Sequence, residues 1–180
     1  GWWAGFVLEA GMATDNGAGF STNPNNQPTG GAIAGIGGGQ GLTFNRRSTV
    51  SLMGPYGELR VGRDYVPSYS PLNTFDAFGN AGVGTSISPL LGVTSTSVAG
   101  IRASNSIGYH LPSKLGGFYG NAMVAMGENN KTGAATEDDG NYRGVRLGWA
   151  QGPINVAVST GRIKMAAGDF RPGNIGASYD

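Results

Sequence analysis

The sequence predicts an all-β fold, an antiparallel β-barrel that crosses a membrane with its strands. Three observations predict it. Short segments alternate apolar and polar residues, the connections between them are long and short in turn, and 34 of the 180 residues are glycine. Alternation places apolar side chains on one face of a strand and polar side chains on the other, which suits a strand between lipid and a water-filled lumen.

The clearest alternation covers residues 101–111. One face is predicted to carry Ile101, Ala103, Ile107, Tyr109 and Leu111, and the other Arg102, Ser104, Ser106, Gly108 and His110. Residues 143–149, 154–159 and 174–179 repeat the pattern. No helical period of comparable strength occurs, so we expect strands throughout.

The first three predicted strands cover residues 2–12, 42–53 and 58–65. A loop rich in Gly, Asn, Thr and Pro, reaching to about Gly41, separates the first from the second. Gly54-Pro55-Tyr56-Gly57 joins the second to the third and is strong turn chemistry. The connection that follows, residues 66–100, is longer than a structureless loop of a compact domain usually is, so we expect it to be functional and to fold into a lumen.

Five more strands follow. They cover residues 101–111, 118–127, 141–150, 154–161 and a segment that begins near Asn174. Short turns at residues 112–117 and 151–153 alternate with longer polar loops between these strands. Outer-membrane barrels have short periplasmic turns and long external loops, whereas a Greek-key sandwich has no reason to sort its connections by length.

Composition narrows the possible classes of protein. Only 39% of the residues are hydrophobic, and the net charge of +1 gives no sign of a nucleic-acid partner. Cysteine is absent, so no disulfide can form. No run of about 18 apolar residues exists, which excludes a transmembrane helix but leaves transmembrane strands of about 9–11 residues possible. Strand-like sequence reaches both ends of the chain, so we expect an internal piece of a longer protein.

Three stretches resemble the general diffusion porins of Gram-negative outer membranes, of the beta-proteobacterial type. They are residues 44–52, residues 56–65, which include Gly-Arg-Asp-Tyr at a strand end, and residues 102–109. The resemblance extends over nearly the whole chain. It implies a 16-stranded trimeric barrel, of which these eight strands are the third to the tenth. It also implies that residues 66–100 bend inward as a constriction loop.

The resemblance further implies a charged pore constriction. Its predicted residues are Arg46, Arg63, Arg102, Asp76 and Glu9. Alternation supports Arg102, leaves the choice between Arg46 and Arg47 open, and argues against Arg63, which alternates with apolar residues. Several arginines facing one or two acids would make the constriction positive, so the hypothesis is a preference for anions.

Aromatic residues near strand ends are candidates for the girdles that flank the apolar band of such a barrel. The predicted membrane-interface residues are Trp2, Tyr109, Trp149 and Tyr179. Ordinary packing is the alternative for each of them.

No catalytic or metal-binding pattern is present in the sequence. His110 is the single histidine, and Ser106 on the same strand face lies about 13 Å from it at roughly 3.3 Å per residue. No His, Cys, Asp or Glu cluster has metal-ligand spacing. We therefore expect neither an enzyme nor a cofactor. The prediction is a passive outer-membrane channel for small hydrophilic solutes and ions, trimeric in the full-length protein and surrounded by lipid. The alternative is a secreted or surface β-sandwich, such as an adhesin, that binds a partner.

Overall fold

The fold consists of eight β-strands and one short helix. The structure is a computed structural model that describes residues 1–19, 26, 44–88, 100–128 and 133–180. Its elements, in chain order, are β1 (Trp3–Glu9), β2 (Arg47–Gly54), β3 (Gly57–Tyr65), α1 (Ser70–Thr74), β4 (Arg102–His110), β5 (Phe118–Ala125), β6 (Tyr142–Gln151), β7 (Ile154–Ile163) and β8 (Gly173–Tyr179).

All eight strands form one sheet in the order of the sequence. Each strand pairs antiparallel with the next, and in the described residues β1 and β8 do not pair with each other. The short turns therefore all lie at the same end of the strands, which we call the turn edge. The long connections leave from the opposite ends of the strands, which we call the loop edge. The predicted all-β antiparallel fold is confirmed. The sandwich alternative is not supported, because the described strands form no second sheet.

One face of the sheet, the outer face, carries large apolar side chains that touch little else. Phe6 is 73% exposed, Val50 57% and Val145 49%. Other exposed members of this face are Leu52, Leu59, Ile107, Val124, Leu147, Val156, Val158 and Ile175. A face this apolar is costly in water but favourable against lipid, so the sheet is built to lie with its outer face in a membrane.

The other face, the inner face, is covered by residues 66–88, which we call the inner segment. The Ser68 carbonyl accepts hydrogen bonds from the Asn174 amide at 2.6 Å and from the Ser159 hydroxyl at 3.5 Å. The Ser68 amide donates to the Tyr142 hydroxyl at 3.3 Å. Since the inner segment leaves β3 and bonds to β6, β7 and β8, it passes across the inner face rather than away from the sheet.

A compact apolar cluster holds the beginning of the inner segment in place. Its buried members are Val66, Tyr69, Ile87, Ala103, Met123, Ala125, Tyr142 and Ile163. The short helix α1 begins with Pro71 in its first turn, where the missing amide hydrogen costs nothing. α1 contacts β7 and β8. The ring of Phe75, directly after α1, lies so close to Gly176 that a side chain at that position would collide with it.

Most of the predicted strand boundaries agree with the structure within two residues. The largest differences concern the first two strands: β1 ends at Glu9 rather than at residue 12, and β2 begins at Arg47 rather than at residue 42. Residues 42 and 43 lie outside the described part of the chain, as do residues 89–99 of the predicted loop 66–100.

The alternation predicted across residues 101–111 is wrong at the start of β4. Ala103 is fully buried in the inner cluster instead of sharing the outer face with Ile107. The alternation that grouped Arg102 with Ser106 on the polar face fails for the same reason. The cause is a β-bulge: Gly62 pairs with Ser106, but Asp64 pairs with Ala103, so β4 carries one extra residue. Asn105 adopts a left-handed conformation with φ of 56° at this point, and an extra residue reverses the alternation beyond it.

No helix in the described part of the chain is long and apolar enough to cross a membrane.

The two faces make a testable prediction about stability. Val145→Lys places a charge on the lipid side near the middle of β6 and should destabilise the full-length protein by about 2–4 kcal/mol. Ser178→Lys places the same charge on the inner face of β8 and should change stability little. Urea-induced unfolding in lipid vesicles measures both. Equal losses would contradict the assignment of the two faces.

Candidate pore-lining site

Two of the predicted arginines meet at one hydroxyl group. The Tyr65 hydroxyl accepts hydrogen bonds from Arg102 at 2.7 Å and from Arg46 at 3.1 Å. The Arg102 guanidinium also lies over the Tyr65 ring, 4.4 Å from its centroid. Arg46 in addition forms an ion pair with Glu9, whose own carbonyl accepts from the Arg46 amide at 3.1 Å. The structure therefore brings together Glu9 of β1, Arg46 directly before β2 and Arg102 of β4.

Tyr65 connects this group to the inner segment. Its ring stacks on that of Tyr69, with centroids 5.6 Å apart and planes inclined by 17°. Tyr69 belongs to the buried cluster, so the Tyr65 ring, whose hydroxyl accepts from both arginines, is supported by packed residues. The sequence pointed to Gly-Arg-Asp-Tyr at this strand end but gave Tyr65 no role. A tyrosine at the point where the long connection begins was the available signal.

A second group of charges lies further along the inner face. Asp64 is almost fully buried, forms an ion pair with Arg47 at 3.0 Å and accepts a hydrogen bond from Arg60 at 2.5 Å. Arg60 also pairs with Glu58 at 2.8 Å. Arg47 shares its strand face with the buried Thr49, as alternation allowed. Arg47, Arg60 and Asp64 are not among the predicted site residues, because alternation alone shows which face a charge occupies and not which partner it meets.

Arg63 is buried in the wall rather than exposed at its surface, with only 8% of the residue accessible. Its guanidinium donates to the Asn45 carbonyl at 2.7 Å and to the Ser104 hydroxyl at 2.8 Å. The Asn26 amide oxygen accepts from the Ser104 amide at 2.7 Å. β2 and β3 pair without interruption as far as Ser48 and Arg63, so the β-bulge in β4 does not change the parity of Arg63. These contacts at the loop edge, rather than a change of face, account for its burial. Its role at a constriction stays a prediction, while its contacts show that it ties the connections at the loop edge to the sheet.

Asp76 organises its own loop. The Thr85 hydroxyl and the backbone amides of Phe78, Asn80 and Ser86 all donate to its carboxylate. These hydrogen bonds, that from Thr85 above all, hold the pKa of Asp76 below its usual value. No arginine pairs with Asp76 in the described residues, so the predicted facing of Asp76 and an arginine stays a prediction. The carboxylate does lie in the segment that covers the inner face.

The inner face carries one further arginine that the sequence did not single out. Arg146 on β6 lies over the ring of Tyr119, 5.4 Å from its centroid. His110 lies on the same face, and the Ser106 hydroxyl is engaged with the Gly62 carbonyl at 2.7 Å. The described residues include no group of His, Cys, Asp and Glu that could hold a metal ion.

The four predicted interface aromatics all lie near the turn edge on the outer face. Trp2 packs against Gly54 and beside Tyr56. The Tyr109 hydroxyl donates to the Tyr56 carbonyl, and the Trp149 indole donates to the Gly116 carbonyl at 3.2 Å. Tyr179 pairs with Ile154, directly after the last short turn. Aromatic rings with their polar atoms toward the turns match the arrangement of an interfacial girdle, which remains a prediction for these residues.

An open sheet with one apolar face, a polar inner face crossed by a long connection, and short turns along a single edge defines a porin-type membrane barrel. The sequence matches the family model described as Gram-negative porin over residues 1–180, and the chain belongs to that family. The predicted family and the predicted location in a Gram-negative outer membrane are thereby confirmed.

Individual relatives agree. The chain is similar to outer membrane porin protein 32 of Delftia acidovorans, with 34% identity over 154 residues that cover 80% of this chain and 42% of that protein. Its structure is similar to that of an anion-selective porin from Comamonas acidovorans, with a TM-score of 0.75 and 31% identity, covering 99% of this chain and 49% of that one. The chain thus spans about half the length of these relatives or less.

The hydrogen bonds of Asp76 make a prediction about pH. Because the ionised carboxylate holds the loop and its pKa is lowered, the loop should stay ordered as the pH falls to about 3.9, the ordinary pKa of Asp, and loosen only below it. Thr85→Val removes the strongest hydrogen bond and should move this transition to higher pH. Current fluctuations of single channels recorded at decreasing pH would show it.

Thr74→Val is the matched control, since the Thr74 hydroxyl donates to the Ser70 carbonyl within the same segment and not to Asp76. A transition at the same pH in Thr85→Val and in the parent would contradict the role given to Asp76.

Proposed function

We propose that the protein containing this chain is a passive, water-filled channel that lets small hydrophilic solutes and ions diffuse across the outer membrane, with a preference for anions. The observation that carries the proposal is the convergence of Arg46 and Arg102 on Tyr65 beside the segment that crosses the inner face. The relatives support it, since one is named an outer membrane porin and another an anion-selective porin.

The balance of charge around Tyr65 favours anions. Arg46 has one carboxylate partner, Glu9, and Arg102 pairs with no carboxylate in the described residues. Asp64 and Glu58 are already paired with other arginines, Arg47 and Arg60. Asp76 is occupied by hydroxyl and amide donors of its own loop. The neighbourhood of Tyr65 therefore retains an excess of positive charge, which would attract permeating anions and repel cations.

The inner segment would supply the narrowing that makes this charge effective. A charge acts strongly on an ion only where the passage is narrow, because bulk water screens it at greater distance. The inner segment is held to the inner face at Ser68, which forms hydrogen bonds with three strands, and at Ile87, which joins the buried cluster. We infer that the whole connection, residues 66–100, is the constriction loop.

The remaining predictions concern the whole protein. We propose that it is a homotrimer embedded in outer-membrane lipid, that it needs no cofactor and that it catalyses no reaction. The absence of catalysis is supported by the relatives, whose names describe porins. It is also supported by Ser106, four residues from the single histidine, because its hydroxyl already donates to the Gly62 carbonyl.

Reversal potentials in a salt gradient test the selectivity. Arg102→Glu in the full-length protein changes the local charge by two units. For a monovalent ion about 8 Å away in water this amounts to about 1 kcal/mol, unfavourable for chloride and favourable for potassium. The preference for chloride over potassium should therefore fall by about 2 kcal/mol, or roughly thirtyfold. Lys114→Glu, the same change in an exposed turn, is the control and should have a much smaller effect. Unchanged selectivity in Arg102→Glu would remove Arg102 from the proposed filter.

Tyr65→Phe separates charge from positioning. The variant keeps both arginines and the ring under Arg102 but removes the hydroxyl that holds Arg46 and Arg102 at one point. The preference for anions should therefore keep its sign, while the open-channel current becomes noisier as the two side chains move independently. Single-channel recordings measure both quantities. A loss of anion preference as large as in Arg102→Glu would show that the hydroxyl, rather than the charge, selects ions.

A further inference from the structure

A group of positive charges that carboxylates neutralise only in part lies on the outer face, where no charge is expected. Arg143 on β6 and Arg162 on β7 stand directly opposite each other in the sheet. On the same face Arg143 follows the apolar row of Val145, Leu147 and Trp149 toward the loop edge. Two like charges at a cross-strand pair destabilise a sheet, and charged side chains on a lipid-facing surface are unfavourable except near the membrane interface.

The nearby carboxylates do not neutralise this group. Arg162 forms an ion pair with Asp169, and Arg171 shares the same carboxylate at 3.4 Å. Asp138 pairs with Lys164, and Asp139 accepts from the Ala166 amide at 2.7 Å. Arg143 has no carboxylate partner among the residues that the structure describes. The three arginines Arg143, Arg162 and Arg171, which we call the outer basic cluster, thus have one carboxylate among them, Asp169, which contacts Arg162 and Arg171.

The outer basic cluster lies at one end of a shallow groove in the apolar face. The groove has a volume of about 620 Å³, and all three arginines line it. Its apolar walls are formed by Leu59, Ile107, Tyr109, Ala122, Val124 and Val145. The groove is therefore amphipathic along its length, with guanidinium groups at the loop edge and aliphatic side chains toward the middle of the sheet.

We propose that this groove binds a phosphate-bearing membrane lipid, with its phosphate between the arginines of the outer basic cluster and an acyl chain along the apolar walls. Guanidinium groups bind phosphate through paired, charge-assisted hydrogen bonds, and a phosphate would relieve the repulsion between Arg143 and Arg162. A free anion would use only the charged end of the groove, and an uncharged lipid only the apolar part. The combination of both in one groove favours the lipid.

Native mass spectrometry of the detergent-solubilised full-length protein tests the proposal with three probes: dioctanoyl phosphatidic acid, dioctanoylglycerol and inorganic phosphate. The phosphatidic acid should bind at least tenfold more tightly than either of the others. Comparable binding of dioctanoylglycerol would show a merely apolar surface, and comparable binding of inorganic phosphate a simple anion site. Either result would overturn the proposal.

The variant Arg143→Gln with Arg162→Gln should weaken binding of the phosphatidic acid at least tenfold and leave binding of dioctanoylglycerol unchanged. Arg143→Gln alone, which keeps the Arg162–Asp169 ion pair, serves if the double variant does not fold and should still weaken binding severalfold. Lys114→Gln removes a positive charge at the turn edge and is the matched control. Equal affinity in parent and variants, or a change of oligomeric state in place of a change in lipid binding, would overturn the proposal. Neither result would affect the channel proposal, since the filter lies on the opposite face.

Discussion

The structure depends on one constraint: every strand must satisfy its backbone hydrogen bonds within the sheet while its two faces meet different surroundings. In lipid no water is available for an unpaired amide or carbonyl group, so continuous antiparallel pairing from β1 to β8 is required before any side chain matters. The side chains then divide by parity, as Val50 and Thr49 do on neighbouring positions of β2. Because the division repeats in each strand, the sheet gains an apolar and a polar surface without a conventional core.

The inner segment solves a different problem, since it must lie on a polar wall without filling the space beside it. It does so mainly with hydroxyl and amide groups: Ser68 alone contacts Tyr142, Ser159 and Asn174. Apolar packing holds both its ends, since Val66 and Tyr69 at the beginning and Ile87 near the end join the buried cluster. Directional hydrogen bonds to three strands fix the path of the chain better than an apolar contact does, because an apolar contact has no preferred direction.

Features that depend on residues close together in the sequence could be predicted, whereas features that depend on contacts between distant residues could not. Alternation is local, and it predicted the strands, the two faces of the sheet and the position of Ile107 and Val145 on the apolar face. It failed at Ala103, because one extra residue in β4 reverses parity, and the single local sign was an asparagine, Asn105, in the middle of a strand. Arg46 and Arg102 both contact Tyr65, and Arg102 lies 37 positions from Tyr65 in the sequence. No local pattern contains information about a contact over that distance.

The arginines show why residue type alone does not reveal function in this fold. Arg63 is enclosed by Asn45 and Ser104 and holds connections together. Arg102 has the same side chain, but it stacks on the ring of Tyr65 beside the inner segment, and we propose that its charge acts there on permeating ions. Arg143 faces the apolar side and finds no carboxylate in the described residues. Each position leaves the guanidinium a different remaining partner, which is protein for Arg63 and, in our proposals, a permeating anion for Arg102 and a lipid phosphate for Arg143. The face of the sheet and the distance to the nearest carboxylate therefore decide what each arginine does.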